Sequence, residues 1–432
     1  MNNNKVVVIG GGIAGITAVI KLKELGYSPV LITKGAGSSA MFSGSYDIAS
    51  MIESKQLKEI DIPIKEQIEL IKNRNVNHPY NKINNIYSIL ENSFNLINEK
   101  LDLGLTKLDL DKPNYIIPTQ TGYLKESSLI KKTGIDFDLN KIMNSGENYG
   151  ILNFSLFNNF FYEKLLNNLN LIKEKQNSKS KFFIINFDFL RRSSDVNLKN
   201  HDLAHIIENN DLYIELINKI KEIIKKENIK NIISPAVWGI DKYKKINDII
   251  WKEFNIIETF SNTPSIEGIR LQKKINKYLK DNNIQVFNEK VVGFEYKKER
   301  ISSIITNKNT KIKTSGIILA TGKFIGGGIS TENGYSESIF NIPLFYNGEL
   351  LPENQKEPMF ENDYFKKHQA FSIGVKTNER FQVLGVNEKV LFNNLFVAGN
   401  IIADYNYIAR EGGFGVAVST GYKAAKSLSH II

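Results

Sequence analysis

A glycine-rich turn between an apolar run and a predicted helix, close to the start of the chain, constrains the fold more than any other feature. Residues 6–9 are apolar and β-branched, which is typical of a buried parallel strand. Gly10, Gly12 and Gly15 follow with the spacing G-x-G-x-x-G, and residues 13–25 are predicted to form a helix. This order predicts a β-α-β unit that binds a dinucleotide or a flavin. The alternative is a glycine-rich turn in an ordinary α/β domain.

Each glycine of this motif has its own predicted role. Gly10 permits the tight turn, Gly12 lets a pyrophosphate approach the backbone, and Gly15 lets the helix pack closely on the strand. A second strand over 29–33 completes the unit, and the helix directs its positive N-terminal end at the phosphates. The predicted cofactor contacts in this unit are Gly10, Gly12, Ala14, Gly15, Thr33 and Lys34.

Two buried strands and a second glycine-rich turn appear much later in the chain. Residues 317–322 end in Ala320, Thr321 and Gly322, and residues 395–399 end in Gly399 followed by Asn400. Gly412, Gly413 and Gly415 precede a predicted helix over 416–428, whose N-terminal end can stabilise negative charge on a ligand. A turn without a ligand is the alternative. These segments add to the predicted cofactor contacts Ala320, Thr321, Gly322, Gly399, Asn400, Gly412, Gly413 and Gly415.

Because the late strands resemble those of the first unit, we predict an α/β fold with a Rossmann-like flavin-binding domain built from both chain ends. Predicted strands and helices alternate between 149 and 260, with one helix predicted over 202–226, which indicates an inserted α/β domain. The predicted flavin-binding domain comprises residues 1–55, 266–330 and 381–432. The inserted domain comprises 56–265, and a second cap segment comprises 331–380.

Composition excludes several kinds of chemistry. The chain of 432 residues has no cysteine, so disulfides, thiolate metal sites, a catalytic thiol and an iron–sulfur cluster on its own cysteines are excluded. The net charge of +10 is spread as scattered lysines, which does not predict nucleic-acid binding. His201 and His205 have the i, i+4 spacing of metal ligands, but no carboxylate of suitable spacing lies nearby, so no metal site is predicted. The uncharged stretch over 6–20 is too short to span a bilayer.

The motifs together resemble the two-domain flavoproteins that include succinate dehydrogenase and fumarate reductase subunits. The chain is more closely similar to the family of B subunits of anaerobic glycerol-3-phosphate dehydrogenases, along almost its whole length. The segments that carry this closer resemblance are Ser43–Asp47, His78–Tyr80, Pro264–Gln272, Gly326–Gly328, Gly374–Thr377 and Asn394–Gly399.

This resemblance implies a flavoprotein subunit that relays electrons from glycerol 3-phosphate oxidation. Its implied partners are a catalytic glycerol-3-phosphate dehydrogenase subunit and an iron–sulfur subunit that passes electrons to the quinone pool. The implied location is the cytoplasm, with membrane contact only peripheral and through the partner. Two other functions stay open: a stand-alone flavin-dependent dehydrogenase or fumarate-reductase-like enzyme, and a scaffold that has lost its flavin.

The cofactor is expected to be a non-covalent flavin, either FMN or FAD. Thr33 stands where dinucleotide-binding folds usually place an acidic residue for the ribose, and a hydroxyl there is compatible with both. Asn400 stands where many flavoproteins have a carboxylate for the ribityl chain. No histidine lies between Lys34 and Lys72, so the histidine-linked flavin of succinate dehydrogenases has no counterpart.

Three residues are candidates for the chemistry, each with a structural alternative. Arg270 can hold an anionic substrate or a flavin phosphate, or form a structural salt bridge. Arg410 can stabilise an anionic reduced flavin, or form a surface ion pair. His78 can donate a proton, or be a satisfied loop histidine.

The small residues of the loop after the first unit allow a backbone to pass close to a planar ligand, or simply form a flexible loop. Ser43, Gly44 and Ser45 are therefore further predicted cofactor contacts. Asp47 and Glu411 are weaker candidates for contacts with the flavin ring.

Overall fold

The computed structural model describes residues 5–50, 62–155, 157–187, 198–209, 211–352, 355, 359–363, 366, 368–409 and 411–432. The helices in this part of the chain are α1 (Ile13–Glu24), α2 (Ile64–Arg74), α3 (Ile86–Lys100), α4 (Leu139–Ser145), α5 (Tyr162–Lys175), α6 (Asn200–Asn209), α7 (Leu212–Glu227), α8 (Tyr243–Ile250), α9 (Ile266–Asp281) and α10 (Gly413–Ser429). The strands are β1 (Lys5–Ile9), β2 (Ser28–Ile32), β3 (Tyr115–Pro118), β4 (Leu124–Ser127), β5 (Asn148–Phe154), β6 (Lys181–Phe187), β7 (Asn231–Ser234), β8 (Asn255–Glu258), β9 (Gln285–Phe287), β10 (Val291–Lys297), β11 (Arg300–Thr306), β12 (Lys311–Lys313), β13 (Gly316–Leu319), β14 (Ile329–Ser330), β15 (Ser336–Glu337), β16 (Leu344–Tyr346), β17 (Glu349–Leu350), β18 (Gly374–Val375) and β19 (Leu395–Val397).

A five-stranded parallel sheet gathers strands from both ends and the middle of the chain. Its order is β19-β13-β1-β2-β9, and every neighbouring pair is parallel. The strand order reverses at β1, so the carboxyl ends of β1 and β13 form the switch point where ligands bind in open α/β sheets. The predicted α/β fold and Rossmann-like sheet are confirmed.

Helices α1 and α10 pack against each other on this sheet. A Cβ on Gly421 of α10 would lie 2.3 Å from the backbone oxygen of Ala14, so the two helices approach closely. Helix α1 ends as its sequence predicts, because Gly26 has a φ of +85° and Tyr27 donates its N–H to the oxygen of Leu22. The N-terminal ends of both helices lie at the carboxyl edge of the sheet, beside the ends of β1 and β13.

The inserted region contains a second parallel sheet with its own core. Its order is β6-β5-β7-β8, and its core includes Tyr213 from α7 and Trp238 from the loop after β7. The carboxyl edge of this sheet is closed by its own side chains. Trp238 donates its indole N–H to Ser234 Oγ at 2.8 Å, and Glu208 accepts three backbone N–H groups at the start of α8.

The first core includes residues beyond 56, the position where the inserted domain is predicted to begin. Helices α2 and α3 are amphipathic, and their apolar faces belong to the first core, with Ile68 and Leu90 fully buried there. The second core draws on residues from Ile116 to Phe260. The remaining predicted domain boundaries stay predictions.

One predicted helix is two helices in the structure. The apolar periodicity over 202–226 continues across a break between α6 and α7, where Asp211 has a φ of +48°. Within the described ranges, no helix combines the length and the apolar character needed to cross a bilayer.

Candidate functional site

A cleft of about 530 Å³ opens at the carboxyl ends of β1 and β13. One end is formed by the loop after β2 and the turn before β10, and the other by the N-terminal end of α10. We call these the β2 end and the α10 end. The predicted contacts that line the cleft are Gly10, Gly12, Ala14, Thr33, Lys34, Ala320, Thr321, Gly322, Asn400 and Gly413.

The glycines of the first motif form a cradle, and at two of the three positions there is no space for a side chain. Gly10 has a φ of +118°, and a Cβ there would lie 2.2 Å from the backbone oxygen of Ala320. A Cβ on Gly15 would lie 2.0 Å from the oxygen of Gly10. At Gly12 a Cβ would meet only Ser39 Oγ, at 3.6 Å, among the described atoms. Gly10 and Gly15 are thus needed for packing, while Gly12 leaves room for a ligand.

The N-terminal end of α1 faces this room. The first turn of a helix has backbone N–H groups without intrahelical partners, and here it has no acidic residue and no side-chain cap at Gly12. Ser39 Oγ accepts one of these groups, the N–H of Ile13, at 2.9 Å. The remaining donors and the nearby Lys34 suit a phosphate or pyrophosphate.

At the β2 end, Thr33 is engaged with its own loop. Its hydroxyl donates to the oxygen of Gly35 at 2.6 Å and accepts the N–H of Gly35 at 3.0 Å. Glu289, Lys290 and Val291 also line this end, and the sequence reasoning missed all three. They precede or begin β10, and no motif in the sequence marks them.

At the α10 end, three glycines let other backbones approach the helix. A Cβ on Gly412 would lie 2.0 Å from the oxygen of Ile48, and one on Gly415 would lie 2.3 Å from the hydroxyl of Tyr80. Gly413 lines the cleft itself. The carboxylate of Asp47 accepts the N–H groups of Gly413 and Phe414, and burial raises the pKa of Asp47.

The two late strands bring their turns to the floor of the cleft. Gly399 has a φ of +75° and donates its N–H to Thr420 Oγ1 at 2.8 Å, which places Asn400 in the lining. Thr321 also lines the cleft, and its hydroxyl is buried without a hydrogen-bond partner in the described part of the chain. A buried hydroxyl of this kind is satisfied when a polar ligand binds.

Lys323 is a cleft residue that the sequence reasoning missed. Its side chain is 3% exposed, and Nζ donates to the backbone oxygens of Phe371 at 2.5 Å and Tyr405 at 3.2 Å. Burial lowers the pKa of Lys323 to about 7. A lysine directly after the Ala320–Gly322 turn is the signal that could have identified it.

Ser43, Gly44 and Ser45 lie at the junction between the two cores and do not line the cleft. Ser43 accepts the backbone N–H of Ser261, and Ser45 Oγ donates to the oxygen of Glu126 at 2.9 Å. Gly44, with a φ of +105°, packs against Phe260. Contact of these three residues with a cofactor stays a prediction.

Arg270 is also away from the cleft, in a buried ionic cluster. It contacts Glu258 and Glu267, with Nη2 to Glu258 Oε1 at 3.0 Å and Nη1 to Glu267 Oε1 at 2.7 Å. Its guanidinium carbon lies 3.6 Å from the ring centre of Tyr243, and it donates to the oxygen of Gly239. With these contacts the geometry favours the structural salt bridge over ligand binding.

His78 is fully buried, and both of its ring nitrogens form hydrogen bonds with backbone groups. Its Nδ1 accepts the N–H of Tyr80 at 3.2 Å, so Nε2 carries the proton and donates to the oxygen of Glu411 at 3.1 Å. Burial lowers the pKa of His78 to about 3, so the imidazole is neutral at physiological pH. This geometry favours the satisfied loop histidine over a proton donor. Arg410 lies outside the described residues.

His201 and His205 each lie beside a carboxylate on α6. His201 Nε2 is 3.2 Å from Asp202 Oδ1, and His205 Nδ1 is 2.9 Å from Glu208 Oε1. Glu208 is already engaged at the start of α8. Across the described ranges, no group of three or more such side chains could hold a metal ion.

Comparison with known proteins supports the site described above. A family model of FAD binding domains matches residues 5–84, which include the glycine cradle. A second model, of glucose inhibited division protein A, matches residues 262–339. The match at the cradle, the open space at Gly12 and the unpartnered hydroxyl of Thr321 all fit a flavin.

Similarity to curated proteins extends along the whole chain. The B subunit of anaerobic glycerol-3-phosphate dehydrogenase from Pasteurella multocida is 24% identical and is aligned over 99% of this chain and 99% of its own length. The protein of the same name from Vibrio cholerae is 22% identical, over 99% and 97%. Among solved structures, a flavocytochrome c3 fumarate reductase in its open conformation aligns with 99% of this chain and 78% of its own, with 10% identity and a TM-score of 0.43. The resemblance predicted from the sequence is confirmed, and the family match at residues 5–84 supports a flavin as the cofactor.

Proposed function

We propose that this flavin-binding chain, which resembles the B subunits of anaerobic glycerol-3-phosphate dehydrogenases over its full length, is an electron-relaying flavoprotein subunit of such a complex. Electrons released when glycerol 3-phosphate is oxidised to dihydroxyacetone phosphate would enter its flavin and leave toward an iron–sulfur partner and the quinone pool. The observation that carries the proposal is the full-length similarity, because it includes the inserted domain as well as the common flavin-binding unit.

Two features of the chain support a relay over a complete enzyme. The chain has no cysteine, so it cannot hold an iron–sulfur cluster on thiolates of its own and needs a partner for that step. The two described candidates for substrate chemistry, Arg270 and His78, are buried in structural contacts. A stand-alone dehydrogenase would need such groups in the cleft.

The bound flavin would supply the redox chemistry, accepting an electron pair and passing electrons on. The protein's part is to bind and orient it. The N-terminal end of α1 and Lys34 would hold the phosphates, and Asn400 would contact the ribityl chain. The α10 end would hold the ring, with Phe414 and Tyr407 in the cleft wall.

We propose FAD as the flavin and non-covalent binding as its mode. The cleft continues from the α10 end to Thr33, Glu289 and Val291, which leaves space for an adenosine half beyond the phosphates. FMN would leave this β2 end without a ligand group. The complex would work in the cytoplasm and reach the membrane through its partner.

One purification tests both parts of this proposal. The tagged chain, expressed with its native partners, is expected to co-purify with a glycerol-phosphate dehydrogenase chain and a cysteine-rich chain, and acid treatment is expected to release FAD. Mass spectrometry identifies the proteins and the cofactor. FMN as the only released flavin would contradict the FAD assignment. A cofactor-free chain that takes up neither flavin would contradict the relay and favour the scaffold.

A further inference from the structure

Lys323 lines the cleft and has no role in the proposed function. Lys323 is held by two backbone oxygens, those of Phe371 and Tyr405, and its Nζ lies 5.2 Å from the ring centre of Tyr405. An ammonium has three N–H donors. Among the described residues two of these donors are accounted for, and the side chain lines the cleft. The two carbonyl contacts therefore fix the position of a buried positive charge in a residue of the cleft wall.

The neighbours of Lys323 place it at the α10 end. The ring of Phe371 packs edge-on against Tyr407, with ring centres 5.8 Å apart. Tyr407 lines the cleft and lies against Gly413, where an added Cβ would be 3.3 Å from Tyr407 Cβ. Lys323 thus shares this end with the start of α10, whereas Lys34 and Lys290 line the cleft near its β2 end.

The backbone N–H groups at the start of α10 already bind a carboxylate, so they are not free to balance negative charge on a ligand. The N–H groups of Gly413 and Phe414 are directed at the carboxylate of Asp47, which also lines the cleft. A helix end that already holds a carboxylate offers less favourable potential to a second anion. Negative charge on a ring bound at this end therefore needs a cation from another element.

We infer that Lys323 supplies this positive charge and favours the reduced form of the flavin. The inference rests on the flavin site of the proposed function and adds an electrostatic residue to it. Uptake of two electrons and one proton would leave one negative charge on a bound flavin; under the proposed function those electrons would come from the oxidation of glycerol phosphate. The ammonium of Lys323, buried and little screened by water, would balance that charge.

The influence of Lys323 on a bound flavin depends on pH, because the charge of the lysine depends on pH. Burial lowers its pKa to about 7, against the attraction of Asp404 and Glu411, the charged groups that act on it. Tyr405 and Tyr407, with raised pKa values, stay neutral around it. An anionic reduced flavin would raise the pKa of the lysine again. The influence of Lys323 on the flavin is therefore largest at low pH and decreases as the pH rises above the pKa.

The test measures the midpoint potential of the purified flavin-loaded chain by equilibration with redox dyes. Lys323→Met and Lys323→Gln are expected to lower the affinity for reduced relative to oxidised flavin about 10-fold, a fall of about 30 mV for a two-electron couple. The difference from the wild type should shrink between pH 6 and pH 9. Lys323→Arg keeps the charge and should retain the wild-type potential. Lys311→Met removes an exposed lysine of β12, outside the cleft lining, and should leave the potential unchanged.

Two neutral variants, Lys323→Met and Lys323→Gln, are used so that the test does not depend on the stability of one of them. Gln retains hydrogen-bond donors for the two carbonyls, so it separates loss of charge from loss of structure if the Met variant is unstable. An unchanged potential in a neutral variant with bound flavin would overturn the inference, and so would equal weakening of both flavin forms. A wild-type chain without flavin would instead contradict the proposed function.

Discussion

Gly10→Ala and Gly15→Ala are expected to destabilise the chain by about 3 kcal/mol or more and to abolish flavin binding. The added methyl would lie 2.2 Å from a backbone oxygen in the first variant and 2.0 Å in the second. Neither oxygen belongs to a side chain that can rotate away, and Gly10 also has a positive φ. The free energy of unfolding, measured in denaturant, and flavin content give the result.

Gly12→Ala is the matched control for this prediction. Its methyl would be in ordinary contact with Ser39, and its φ of −73° suits any residue, so stability should change by no more than about 0.5 kcal/mol. The methyl would occupy the space proposed for the phosphates, so flavin should bind at least 10-fold more weakly. Wild-type flavin affinity in Gly12→Ala would show that the phosphates do not lie at this glycine.

Arg270→Met is expected to cost about 3–5 kcal/mol of stability, because it leaves buried carboxylates without their cation. Arg270 is 4% exposed and contacts both Glu258 and Glu267. Burial alone would raise the pKa of Glu267, but the cations of Lys131 and Arg270 hold it below its ordinary value. Thermal and denaturant unfolding of the purified chain measure the loss.

Lys273→Met on the same helix is the control for the Arg270 variant. Lys273 pairs with Asp241, but both side chains are about half exposed, so this variant should lose no more than about 1 kcal/mol. A ligand-binding role for Arg270 predicts the reverse pattern, in which the Arg270 variant keeps its stability and loses ligand affinity. That pattern would contradict the structural assignment.

Local patterns were enough to predict the flavin-binding half of the fold. The glycine spacing after residues 6–9 depends on backbone contacts made within one β-α-β unit, so it can be seen in the sequence. The apolar runs before Gly322 and Gly399 are equally local, and they do form β13 and β19 beside β1. The break between α6 and α7 was not visible, because the apolar periodicity continues through it.

Long-range packing decides the features that could not be predicted. Helices α2 and α3 follow the predicted boundary in sequence, yet their apolar faces complete the first core. Arg270 stands in Pro264–Gln272, one of the segments that carry the resemblance, but its partner Glu258 comes from strand β8. Lys323 became a candidate only when Phe371 and Tyr405, 48 and 82 residues away in sequence, were found around it.

Electron transfer through the complete complex tests the relay most directly. Glycerol 3-phosphate is mixed anaerobically with the wild-type complex and with one that carries Gly12→Ala, which keeps the fold but binds flavin weakly. We expect rapid reduction of this chain's flavin and of the iron–sulfur partner in the wild type, and slow reduction of the partner in the variant. The isolated wild-type chain should not be reduced. Equal rates of partner reduction in the two complexes would show that electrons bypass this flavin and would contradict the proposed function.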